Sequence, residues 1–129
     1  MELNYLPILV AAVAVFVVSA TWYGVLGTQL AELNYAYADS GQPPVWKMLA
    51  EFARSLVVAT VVAGLASEMG IEDWLSAVGL GLVLWIGFPA IILSGSVLHE
   101  NVPWKLAAIH AGDWLLKLVV IAVVVGVWP

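Results

Sequence analysis

The sequence predicts an all-α membrane protein, a bundle of four transmembrane helices joined by short loops. Two features of composition and one of pattern carry that prediction. Hydrophobic residues make up 64% of the chain and charged residues only 10%, against about 45–50% and about 25% in a soluble domain. At 129 residues, a water-soluble globule has too much surface for its volume to hide that much hydrocarbon. The apolar residues also run in four stretches, each long enough to supply the roughly 20 helical residues that a hydrocarbon core demands. The chain 1–129 therefore reads as a single transmembrane domain.

The first stretch lies near 5–27. Val18-Ser19-Ala20 imitates the cleavage site of a signal peptide, but Glu2 and the lack of a basic leader argue for a retained helix. Residues 28–37 read in two ways, as an ordinary polar loop or as an interfacial amphipathic helix turning Leu30, Leu33 and Tyr37 toward lipid. Asp39-Ser40-Gly41-Gln42-Pro43-Pro44 is turn-rich and introduces the second stretch, near 45–67. A tight acidic connection, Ser67 to Asp73, leads to the third, near 74–98. Here Gly79, Gly81, Gly87 and Gly95 offer close helix packing and Pro89 a kink. His99 to Pro103 is again short, and Pro103 suits the start of the fourth stretch, near 104–128. Such spans satisfy their backbone hydrogen bonds internally as helices, and the period-two alternation of a membrane barrel is missing.

Tryptophan favours the interface between lipid and water. On this frame Trp22, Trp46 and Trp104 mark one face of the membrane and Trp74 and Trp128 the other, while Trp85 and Trp114 fall at mid-span and pack between helices. Loops one and three share a side that holds Lys47 and Lys105; the opposite side holds Glu2, Glu68, Glu72 and Asp73 with no basic residue. The positive-inside rule then places loops one and three in the cytoplasm and both termini outside.

Several functions are disfavoured. There is no cysteine for disulfide, thiol or thiolate-metal chemistry. A net charge of −5 lacks the basic surface that displaces counterions from nucleic acid. His99 and His110 have no carboxylate at ligand spacing, and phosphate loops, zinc helices and nucleophile elbows are absent. The expectation is a protein without catalytic residues, metal or cofactor.

Ionisable residues inside spans each require an explanation. The second span carries Glu51 and Arg54, the fourth His110, Asp113 and Lys117. Spacings of three and four put His110, Asp113 and Lys117 on one face, a stripe about 60° wide at about 100° per residue. Arg54 and Asp113 each lie about 15 Å from the same end of their helices at 1.5 Å per residue, which predicts that they meet near the midplane, with Glu51 and His110 at matching heights one turn nearer the cytoplasm. Glu51, Arg54, Asp113 and Lys117 sum to zero charge, a neutral quartet that a bundle can hold. The cluster either fixes packing or lines a route for a proton, an ion or a small polar solute.

The opening LNYLPILVAAVAVFVVSATWYG and the closing HENVPWKLAAIHAGDWLLKLVVIAVVVGVW resemble the bacterial and archaeal membrane family catalogued as domain of unknown function 1761. The matching positions are Asn4, Trp22-Tyr23, Pro103 and Ala111-Gly112. The resemblance implies a compact four-helix membrane protein and no particular activity. Asp113 stands where the family pattern has an aromatic residue, and Lys117 and Arg54 also depart from it. The expected function is a small channel or transporter using the charged cluster, the alternative an accessory or scaffold subunit of a larger membrane complex. Expected partners are the lipid bilayer and either further copies of the chain or other membrane subunits.

Overall fold

The computed structural model describes residues 4–33 and 44–128. Six helical segments follow in order: α1 (Tyr5–Val25), α2 (Gly27–Leu33), α3 (Val45–Glu68), α4 (Trp74–Gly87), α5 (Pro89–Glu100) and α6 (Trp104–Val127). With α4 and α5 taken as one span, Trp74–Glu100, four helices are long and apolar enough to cross a membrane. The expected spans are met with ends shifted by one or two residues.

Local chemistry explains the boundaries. The Asn4 side chain accepts the Leu6 N–H at 3.2 Å and starts α1. After α3 the Gly70 N–H bonds Ser67 O at 3.2 Å and the Ile71 N–H bonds Ala66 O at 3.0 Å. This reciprocal pair of bonds requires a left-handed residue, and Gly70 supplies it with φ +66°. Asp73 then caps α4 by accepting the Ser76 N–H at 2.9 Å. That bond holds the Asp73 carboxyl below its ordinary value of 3.8, so its contribution is full above the usual aspartate range and fades as pH falls through the lowered value. Pro89 opens α5 and, having no N–H, interrupts the span at Phe88. Asn101, left-handed at φ 56°, ends α5, and Pro103 precedes α6.

The core lies along α6, which packs on α1, α3, α4 and α5. Ile8, Ala11 and Val15 of α1, Ala59 and Val62 of α3, Ala77 and Leu80 of α4, and Leu118, Ile121 and Ala122 of α6 form one buried cluster. Alanine dominates because small side chains let helix backbones approach, the main source of attraction between helices in lipid. Large apolar residues instead point outward, Val57, Val83, Ile91 and Ile92 among them, as a hydrocarbon solvent allows.

Two expectations are corrected. Of the four glycines in the third span only Gly81 makes a close approach: a Cβ there would stand 2.9 Å from Val119 Cα, whereas Gly79, Gly87 and Gly95 face open space. Leu30 of α2 does not face lipid; it is 2% exposed, because α2 folds back on α1 and α6. Tyr37, also assigned to that surface, lies outside the described residues. The Trp22 indole N–H bonds Ile109 O of α6 at 2.9 Å, a contact that the sequence did not assign to it. Trp85 and Trp114 do pack against the core as expected.

The Gly81 contact makes a direct test. Gly81→Ala should lower thermal stability in detergent by about 1–3 kcal/mol through overpacking against a backbone that cannot retreat. Gly79→Ala, two residues away with free space, should leave stability unchanged or raise it slightly through helix propensity.

Candidate functional site

Near the middle of α6, Asp113 and Lys117 form an i, i+4 ion pair with Nζ 3.0 Å from Oδ2. Both are buried, at 2% and 6% exposure. The Ser19 hydroxyl of α1 donates to Asp113 Oδ1, so each carboxylate oxygen has a partner. Lys117 Nζ also donates to Glu51 Oε1 of α3 at 3.2 Å and lies 4.9 Å from the ring centre of Trp114. Arg54 Nη1 donates to Glu51 Oε2 at 2.7 Å. The charges thus alternate along a line: Asp113, Lys117, Glu51, Arg54.

The neutral quartet expected from the sequence therefore exists, but not in the expected register. Arg54 and Asp113 do not pair. Side chains on a helix lean toward its N-terminus, so Lys117 reaches back one turn and takes both Asp113 and Glu51. Arg54 is left with the other oxygen of Glu51, and its side chain is 64% exposed. Of the five residues singled out, Asp113 and Lys117 are buried, Glu51 and His110 half-buried, and Arg54 is at the surface. His110 Nδ1 shares a hydrogen bond with the Tyr23 hydroxyl at 2.7 Å, and it lines the same cavity as Glu51.

Ser19 and Tyr23 are the residues that sequence reasoning missed. Their spacing of four places them on one face of α1, and that shared polar face was the available signal. Beside them Trp22 bonds Ile109 O, and from α4 the Trp85 indole bonds Ala111 O at 2.8 Å. A Cβ at Gly112 would stand 2.5 Å from Cζ2 of Trp22, so glycine is what admits the indole there. Trp22-Tyr23 and Ala111-Gly112 are thereby two sides of a single α1–α6 contact, which presents Asp113 one residue further on.

These groups surround a cavity of about 430 Å³ between α1, α3 and α6. Ser19, Tyr23, Glu51, His110, Asp113 and Lys117 supply its polar wall, and Phe16, Ala20, Met48 and Trp114 its apolar one. Lys47 and Met48, in the first turn of α3, extend it toward the end of the bundle where α3 begins. Among the described residues no three His, Asp or Glu side chains converge as metal ligands.

Fold and site together define a helical bundle of membrane-span length with a charged cavity between three of its helices. The family model described as "Protein of unknown function (DUF1761)" matches residues 6–126, and the chain belongs to that family. No curated protein and no solved structure matches it.

The alternating line makes the charges interdependent. Lys117→Met should destabilise the fold by about 3–5 kcal/mol, because it leaves Asp113 buried without its counter-charge. Adding Asp113→Asn to that variant should recover much of the loss. Thermal unfolding of the four proteins of this cycle measures the coupling, and additive losses would disprove it.

Proposed function

We propose that the chain is a membrane carrier for a small polar solute or ion, which enters the charged cavity and exchanges with the contacts between Lys117 and the two carboxylates. The observation that carries this reading is a layering along α1, α3 and α6. The polar cavity occupies residues 16–23, 47–54 and 110–117 of the three helices. Next comes a dry layer of Ala11, Val15, Ala59, Val62, Ile121 and Ala122, none more than 2% exposed. Beyond it a second cavity, of about 470 Å³, is lined by Asn4, Ala66, Glu72, Val125 and Trp128. Two end cavities divided by an apolar layer suit a carrier that opens to one side at a time. A permanently open channel would need a continuous wet path.

Ionisable groups buried inside a span belong to solute or proton routes more often than to lipid-facing surfaces, and Asp113 and Lys117 close the inner end of the first cavity. The accessory-subunit alternative draws no support from the exposed apolar side chains, since lipid alone accounts for them. In the orientation that Lys47 and Lys105 favour, the charged cavity opens to the cytoplasm and the cavity at Glu72 to the outside.

Liposomes containing the purified chain should pass protons, small ions or small polar solutes faster than empty ones. Asp113→Asn should lower that flux at least tenfold while the protein keeps its helicity and elution volume. Unchanged flux in a folded Asp113→Asn protein would remove the reading. Orientation has its own test, because the chain has no cysteine: in intact cells an impermeant maleimide should label Glu72→Cys and spare Glu100→Cys.

A further inference from the structure

A third cavity, of about 250 Å³, lies in the groove between α3 and α6. Glu51, Arg54, Trp114 and Lys117 line both it and the charged cavity, so the ion-pair line stands between the two. Ser55 also lines the groove. It is 3% exposed, and its hydroxyl has no hydrogen-bond partner. Helical hydroxyls usually return to the carbonyl four residues back, as Thr21 does to Val17 O at 2.9 Å and Thr60 to Leu56 O at 2.8 Å. Ser55 does not, and a buried hydroxyl left unpaired is unfavourable.

Arg54 stands beside it. The guanidinium carries five N–H donors in a planar fork; one nitrogen bonds Glu51, and the rest have no partner among the described residues. Arg54 is about 14 Å along α3 from Val45 at 1.5 Å per residue, so the donors that Glu51 leaves over are held deep along the span, where they call for further oxygen acceptors. The remaining wall, Val57, Val58 and Ile121 with Val15 of α1, is hydrocarbon.

We infer that this groove binds the oxyanion head of an anionic amphiphile, a carboxylate or phosphate ester on an acyl chain. Arg54 faces the head group, the Ser55 hydroxyl donates to one of its oxygens, and the chain lies on Val57, Val58 and Ile121. Paired N–H donors fit planar or tetrahedral oxyanions, so charge selects the head and hydrocarbon the tail. A partner helix is about 10–12 Å across, too wide for a space this small between two packed helices. A free phosphate leaves the apolar wall uncovered. The site is separate from the solute cavity, although they share the Glu51–Lys117 partition.

Native mass spectrometry of the full chain in detergent tests the inference, with oleate, dioleoyl phosphatidate, inorganic phosphate and uncharged monoolein as probes. One-to-one adducts with oleate or phosphatidate, at least tenfold tighter than with monoolein or phosphate, are expected, and whichever binds more tightly identifies the head group. Arg54→Gln and Ser55→Ala should each weaken the adduct at least fivefold, Arg54→Lys should weaken it less, and Asp113→Asn, at a residue outside the groove, should leave it at least as tight. That last variant separates this site from the carrier reading, since it removes flux without removing the amphiphile. Equal binding of monoolein, binding of phosphate as tight as that of the amphiphiles, or undiminished binding by folded Ser55→Ala protein would overturn the inference. So would a dimer that Arg54→Gln converts to monomer, which would assign the groove to a second copy.

Discussion

Lys117 carries an ammonium into the middle of the bundle, where it is 6% exposed, and the arrangement around it follows from that constraint. Desolvating such a charge is unfavourable by several kcal/mol unless partners surround it. Here Asp113, Glu51 and the face of Trp114 do so. Asp113 is in turn secured by Ser19, and Glu51 by Arg54. Three helices are thereby tied at one level by groups of which none is stable there alone. Removing any member exposes the next, which gives the bundle a single register instead of several similar ones.

The indoles set the frame within which those charges can meet. Helix carbonyls retain a lone pair after their own ladder bond, and Trp22 and Trp85 use those of Ile109 and Ala111. They hold α6 from two sides just before Asp113, with Gly112 clearing room for one ring. On the far side of the charges the contacts change character, because alanines and Gly81 bring α1, α3 and α4 close against α6. Polar clamps at one end and close dry packing beyond them produce the sequence of cavity, seal and cavity. A carrier would have to loosen that seal, and its alanines present less side chain to rearrange than larger residues would.

Much of the architecture was legible in the residues. Long apolar runs, Pro89, Gly70 and Pro103 specify where helices run and stop, since backbone satisfaction in lipid and the φ preferences of proline and glycine are local constraints. The polar stripe of His110, Asp113 and Lys117 was legible for the same reason, as helical periodicity puts them on one face. Leu30 was misread because an apolar side chain suits two environments, and only a neighbouring helix decides between them. Ser19 and Tyr23 went unseen as site residues, since a serine hydroxyl inside a span can satisfy itself on its own backbone and a tyrosine near a helix end suits the interface between lipid and water.

What the amino-acid order determined by itself is therefore the helices, their apolar surfaces and the inventory of buried charge. Tertiary structure alone decided which charges meet. Equal distance from a helix end suggested Arg54 against Asp113, but the reach of the lysine side chain and the relative placement of α3 and α6 joined Glu51 to Lys117 and left Arg54 at the surface. Rise along one helix measures depth only, while a salt bridge also depends on rotation and lateral placement, which arise when the helices pack together.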